Sequence, residues 1–430
     1  MNLQVYSEKH SNRLEYILEI ICTNLLGIEY TYSNNTNSID TTRATLNYST
    51  KNIINSIQII PHSLLFEEDI KPQKIKIEEE YHFFKTSNKK LSYDILASSF
   101  YMISRYEEYL PSQLDTHKRF QAEESIAFKN NFLSKAVVNR WIFELKKELQ
   151  IQFPTLKFKT QEYSYLSTID IDNAYAYKAK GIYRLVGGLF KSILKHDFDD
   201  LKARLSYVFL NKKDPFDVFT DIENLHKKHQ IKSIFFFLVG KNGPFDKNIN
   251  IKSLHYKKLI RHISCHSDIG IHPSYQSNTD IKKLESEIKS LECTIGKPIE
   301  NSRQHFLKLN FPSTYQNLIK LRIQSDYTMG YASQIGFRAG ICTPFKWFDL
   351  SCDSKTNLMV YPFQIMDGSL NDYLKLNSEE ALRAIKEINN EVRKHNGLFV
   401  TLWHNESLSE MRQWKAWKNV YENVLSISKI

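Results

Sequence analysis

The sequence predicts an α/β protein in two parts, a smaller α+β segment over residues 1–155 and a longer α/β domain over residues 163–430. Three observations carry that expectation. After residue 163, short apolar runs of strand character alternate with stretches whose apolar residues recur at helical spacing, the pattern of parallel strands joined by helices. Several of those runs end in aspartate, histidine or arginine, and the carboxyl ends of parallel strands are where such a sheet gathers its functional side chains. The chain of 430 residues, 42% hydrophobic and 13% aromatic, can bury more than one core, and Phe153-Pro154 marks the break between the two parts.

In the first part, Ser11 to Leu26 reads as an amphipathic helix ending near Gly27, and Ile28 to Tyr32 as a strand. Asp94 to Tyr109 reads as a helix stopped by Pro111. Its end, Ser104-Arg105-Tyr106-Glu107-Glu108-Tyr109, is dense in charge and rings and suits a domain contact better than a second active site. Asn139 to Gln150 reads as another helix before the linker.

In the second part, a strand ending at Thr168 to Asp172 precedes a long basic insertion running through Lys213. Asp214-Pro215-Phe216-Asp217 then opens a helix toward His229, followed by a strand from Ile234 to Gly240. Ile281, Leu284, Ile288 and Leu291 form an apolar helical stripe that suits packing on a sheet. Ser378 caps a helix through His395, Gly397 ends it, and the strand to His404 follows.

Thr168-Ile169-Asp170-Ile171-Asp172-Asn173 puts two carboxylates on one face of an extended segment. Such a pair suits a turn or cap, or a cation between the carboxylates, or a base beside a metal held by its neighbour. Asp268-Ile269-Gly270-Ile271-His272-Pro273-Ser274-Tyr275 alternates so that Asp268, Gly270 and His272 share a face, with His272 at the strand exit. Ser302-Arg303-Gln304-His305 and Gly397 to Asn405, with Trp403-His404 at its end, complete the set. On one rim of a parallel sheet these residues converge despite their separation in sequence. Taken singly, His404 also reads as a core histidine, Arg303 with Asp326 as a structural ion pair, and His266 as a surface or capping residue.

The ordered motifs TIDID (168–172), DIGIHPSY (268–275), SRQHF (302–306), DYTMGYA (326–332), GFRAG (336–340) and LWHN (402–405) resemble the polysaccharide deacetylase superfamily, the NodB-homology, carbohydrate esterase family 4-like group. The resemblance runs from about Tyr165 to the end and is closer to a bacterial branch with an extra amino-terminal domain. It implies a distorted (β/α) barrel of about seven parallel strands and a metal-dependent hydrolase that removes an N-acetyl group from an amino sugar. By the resemblance, Asp170 is the catalytic base, His404 the general acid with a carboxylate beside it, and Arg303 orients the base while Asp326 holds Arg303. Asp172, His272 and His305 are the implied metal ligands, a donor set suited to zinc or another divalent transition metal. Arg338, Trp403 and Tyr275 are the substrate-binding candidates.

Two departures stand out. The family's first motif has adjacent aspartates, whereas Ile171 separates them here, so base and ligand are exchangeable between Asp170 and Asp172. Its second motif has two histidines four residues apart, whereas Gln276 follows His272 here, leaving His305 to complete the ligand set. Those departures also admit a carbohydrate-binding or scaffold protein that keeps the fold without turnover.

Composition narrows the remaining classes. The net charge of +10 comes from lysines spread along the chain without an arginine-rich stripe or reader motif, which speaks against nucleic acid as the partner. The five cysteines, Cys22, Cys265, Cys293, Cys342 and Cys352, form no CxxC pair and suggest neither a disulfide framework nor a thiolate metal site. No apolar run reaches membrane-helix length, and the first residues lack a secretory pattern, so a cytoplasmic location is expected. The expected partner is an N-acetylated carbohydrate; oligomeric state leaves no mark in the sequence.

Overall fold

The computed structural model describes residues 2–429 except 79, 80, 89, 160, 195 and 211. The described residues form two sheets. The first is formed by β1 (Leu3–Ser7), β2 (Tyr30–Ser33), β3 (Thr45–Tyr48) and β4 (Ser56–Ile59), in the order β2-β1-β3-β4 with every pair parallel. The expected α+β character of this part is therefore corrected to parallel α/β. The crossover from β1 to β2 is the Asn12–Leu18 helix, which Ser11 caps by accepting from the Leu14 amide and which continues as a π-helical segment, Glu19–Leu25. Gly27 then turns the chain at a φ of +62°.

The second sheet holds β5 (Ser164–Ile171), β6 (Ser233–Phe237), β7 (Asp268–Ile271), β8 (Asn301–Ser302), β9 (Ser325–Asp326), β10 (Phe345–Asp349), β11 (Ser354–Val360), β12 (Ile365–Met366) and β13 (Leu398–His404). Their order is β10-β11-β9-β8-β7-β6-β5-β13-β12, nine strands where about seven were expected. All neighbours are parallel except the β10/β11 edge hairpin, and β10 and β12 end the order without pairing to one another. β5 lies between β6 and β13, covered on both faces, which explains its nearly continuous burial and the apolar residues that precede Asp170. Gly270 in β7 is required by packing: a Cβ there would lie 2.4 Å from the Phe236 ring and 3.0 Å from the Asn301 carbonyl.

Helices flank the strands much as the periodicity indicates, at Val137–Gln152, Phe219–His229, Ile281–Ile295 and Ser378–Lys394. The last is capped by Asn377 with Glu380 in a capping box rather than by Ser378. Asp214 does not open the Phe219–His229 helix. Its carboxylate accepts from the amides of Ala176, Tyr177 and Lys178, closing the base of the basic insertion, which forms the helices Ile182–Leu194 and Phe198–Phe209.

The helix expected from Asp94 to Tyr109 stops at Ile103. Arg105 adopts a left-handed φ of 55°, and a 3-10 turn follows over Tyr106–Tyr109. That break turns Arg105 inward, where it pairs with Glu108 at 2.7 Å and Glu107 at 2.8 Å. Glu108 also takes both arms of Arg338 from the second sheet's domain, at 2.9 and 2.5 Å. Arg13 reaches Asp353 at 2.7 Å, and the Val138 amide donates to the Gly340 carbonyl at 2.9 Å. One buried apolar cluster runs through both parts, from Leu3 in β1 to Leu425 near the carboxyl end.

Candidate active site

Each chemistry-bearing motif sits at the carboxyl end of a strand in the second sheet. β5 delivers Asp170 and, just past its end, Asp172; β7 leads to His272; β8 leads to Arg303 and to the 3-10 turn that begins at His305; β13 ends in His404. Register brings His404 directly opposite Asp170. Alternation along β13 puts Leu402 and His404 on the cleft side and Trp403 on the other.

Asp172 is the meeting point. Its Oδ1 lies 3.0 Å from His272 Nε2, and its Oδ2 lies 3.3 Å from His305 Nε2 and 3.8 Å from His404 Nε2. One donor atom from each of Asp172, His272 and His305 falls within 4.8 Å of the other two. The far nitrogens of both imidazoles are engaged: His272 Nδ1 meets the Arg303 carbonyl, and His305 Nδ1 meets Asp246 Oδ1 at 2.9 Å. A carbonyl and a carboxylate only accept, so each Nδ1 carries a proton, and in the neutral rings each Nε2 presents its lone pair to Asp172. Asp172 Oδ1 is buried without a hydrogen bond. Two imidazole lone pairs and an orphaned carboxylate oxygen aimed at one point fit a divalent cation.

The carboxylates of Asp172 and Asp246 also favour a proton on the His305 imidazole, which a cation bound at this point would displace. Burial would raise the Asp172 carboxyl, yet the imidazoles of His305 and His272 hold it well below the usual carboxylate range. Burial works against charge on His305, but Asp172 and Asp246 on its two sides hold it up at about 9. Burial likewise opposes charge on His404, and the Asp367 carboxylate overcomes it, keeping the imidazole well above its ordinary value. Asp367 is fully buried; it accepts from the His404 amide at 2.7 Å and meets His404 Nδ1 at 2.8 Å.

Asp170 belongs to a different group. Arg303 Nη1 donates to Asp170 Oδ1 at 2.9 Å and to Thr168 Oγ1 at 2.7 Å, while Nε donates to the Tyr327 carbonyl at 2.9 Å. Asp170 Oδ2 stays 3.7 Å from His272 Nε2. The geometry thus groups Asp172 with the imidazoles and Asp170 with the guanidinium.

Three sequence expectations are corrected here. Asp326 does not clasp Arg303; its oxygens accept from the Thr328 amide and hydroxyl at 2.8 Å, and burial pushes its carboxyl up to about 6. Arg338 is buried and committed to Glu108 and the Gly330 carbonyl, so it cannot meet substrate. Trp403 is fully buried against Tyr421, with its indole N–H donating to Thr401 Oγ1 at 3.1 Å. Tyr275 does not line the cleft; its ring is stacked on Phe245 at 4.2 Å and its hydroxyl lies 3.2 Å from His117 Nδ1. Gln276, at the position of the missing histidine, turns to the surface and accepts from Lys283.

A cleft of about 250 Å³ opens onto these groups, lined by Asp170, Asp172, His272, His305 and His404. Arg119, from the first part of the chain, forms part of its wall and donates to the Phe306 carbonyl at 2.7 Å. Asp246, Asp367 and Arg119 escaped the sequence reading; only the carboxylate expected beside His404 pointed toward Asp367. A second histidine-rich group, Glu223, His262 and His266, is more exposed, and Glu223 there is also paired with Lys227 at 2.7 Å.

A family of unknown function, DUF7033, matches residues 3–154. No curated protein matches the chain. Among solved structures, it is similar to a polysaccharide deacetylase from Bacillus cereus at 13% identity and a TM-score of 0.30, covering 62% of this chain and 88% of that one. It is also similar to an allantoinase at 9% identity and a TM-score of 0.40, covering 61% and 84% of the two chains. A CE4 family pseudoenzyme from Bacillus anthracis is 10% identical with a TM-score of 0.32, covering 62% of each chain.

Proposed function

We propose that this chain is a metal-dependent hydrolase that removes an N-acetyl group from an amino sugar of a surface polysaccharide or its precursor. The observation that supports it is the convergence of His272 Nε2, His305 Nε2 and the orphaned Asp172 oxygen, with both Nδ1 positions engaged behind them. A divalent ion such as zinc, held by Asp172, His272 and His305, would supply Lewis acidity that polarises an amide carbonyl and lowers the pKa of water toward neutrality. Asp170 takes the role of base. Arg303 fixes one of its oxygens and leaves Oδ2 facing the cleft to accept the proton of the attacking water. His404 takes the role of acid: held charged by Asp367, it gives a proton from Nε2 to the departing amine and is left neutral with Nδ1–H on Asp367.

The persistence of base, acid and both of their supporting partners favours turnover over a binding-only role. The test is acetate release from an N-acetylhexosamine oligomer, with metal content measured on the same preparations. Asp170→Asn is expected to keep its metal and lose about 10²-fold or more in kcat. His272→Ala is expected to lose both. Acetate release that survives His272→Ala would refute the metal role, and metal-loaded wild type without acetate release would favour the binding protein.

A further inference from the structure

We propose that the helical hairpin formed by Ile182–Leu194 and Phe198–Phe209 docks on an anionic lipid surface and presents the catalytic rim to it. The hairpin has its polarity inside out. Asp200 gathers polar contacts on its inner side: Ser192 donates to it, Arg204 pairs with it at 3.0 Å, and the Tyr177 hydroxyl, from the segment before the hairpin, donates to it at 2.9 Å. Most of the hairpin's described large apolar side chains point to solvent instead, with Phe190 at 66%, Leu194 at 79%, Phe198 at 70% and Phe209 at 76% exposure. Of the seventeen most exposed large apolar side chains among the described residues, nine fall between Val186 and Leu210. A patch so concentrated marks an interaction surface rather than ordinary surface scatter.

Charge selects the occupant. The acids of the hairpin are neutralised from within the molecule: Asp197 by Arg412 at 2.8 Å, Asp199 by Lys415 at 3.0 Å, and Asp200 by Arg204. Lys202, Lys212 and Lys213 are exposed, and their ammonium groups form no ion pair among the described residues. An apolar face bordered by unpaired ammonium groups complements a bilayer interface, where side chains enter the acyl boundary and lysines meet phosphates. A second copy of the same hairpin would bring like charges together.

The anchoring gives the docking a consequence. Asp214 binds the hairpin's base to the amides of Ala176–Lys178, a few residues past Asp172, and Arg412 and Lys415 belong to the segment that follows His404. The hairpin is therefore tethered to the two segments that leave the cleft at Asp172 and at His404. Under the hydrolase reading, on which this clause alone rests, the substrate is an amino sugar carried on a lipid or lying against the bilayer.

Co-sedimentation of the full chain with vesicles tests the docking without using activity. Wild type is expected to pellet with phosphatidylcholine vesicles containing phosphatidylglycerol and to remain in solution with phosphatidylcholine alone. Phe190→Asp combined with Phe209→Asp is expected to weaken partitioning about tenfold or more, with an unchanged thermal midpoint. Lys212→Glu combined with Lys213→Glu, which leaves the apolar face intact, is expected to remove the preference for anionic vesicles. Wild type that stays in solution with both vesicle types, or variants that bind as well as wild type, would overturn the proposal. So would a wild-type dimer that Phe190→Asp with Phe209→Asp converts to monomer, because the face would then be a self-association surface. Soluble-substrate acetate release reports on the hydrolase reading separately.

Discussion

Asp246 and Asp367 stand behind different imidazoles, and under the proposed mechanism they prepare them for opposite duties. Asp246 holds His305 by Nδ1 and so fixes which nitrogen faces Asp172. Asp246→Asn is expected to weaken metal affinity about 10–100-fold, measured by competition with a chromophoric chelator, while leaving the fold intact. Asp367 holds His404 charged. Because the His404 pKa is raised, the proton-donating form persists below that value and is lost as pH rises through it. Asp367→Asn removes the largest raising influence and leaves burial, which lowers it, so the alkaline limb of kcat is expected to move to lower pH. An unmoved limb would remove His404 from the acid role. The carboxylate beside His404 was foreseeable as a need, because an imidazolium in an apolar strand requires a counter-charge. Its identity was not, since Asp367 follows a two-residue strand with no periodicity to mark it.

At the level of elements, the long strands and helices were legible because burial on both sides of β5 and β6 writes itself as apolar runs, and amphipathic helices write a stripe. β8, β9 and β12 span two residues each and write nothing. The Asp94 helix misleads for a physical reason: Arg105 to Tyr109 has good helical composition, yet Arg105 turns left-handed to satisfy buried Glu107 and Glu108. The same contact explains why Arg338 belongs to the structure and not to substrate. Arg105, Glu108 and Arg338 are all buried, and removing one member leaves uncompensated charge. Arg338→Met is expected to cost about 3–5 kcal/mol in denaturant unfolding, with the metal site unaffected in the fraction that stays folded. A loss near zero would mean that the interface does not depend on this network.

The whole molecule behaves, on this account, as one cooperative body rather than a catalytic domain with an appendage. The shared apolar cluster, the Arg13–Asp353 pair and the Glu108–Arg338 fork join its two parts, and Arg119 of the first part holds the Phe306 carbonyl next to His305. Calorimetry is expected to show a single unfolding transition; two resolved transitions would contradict the joined interface. The sequence foreshadows part of this dependence, since Ser104 to Tyr109 reads as a domain contact, but Phe153-Pro154 suggests a simple boundary and nothing marks Arg13, Asp353 or Arg119 as joining the two parts. The proposed chemistry depends above all on the three-residue metal centre. Anomalous diffraction at the zinc edge from metal-loaded crystals tests it most directly. A strong peak bonded to His272 Nε2, His305 Nε2 and an Asp172 oxygen is expected; no peak there, or one confined to Glu223, His262 and His266, would contradict that centre.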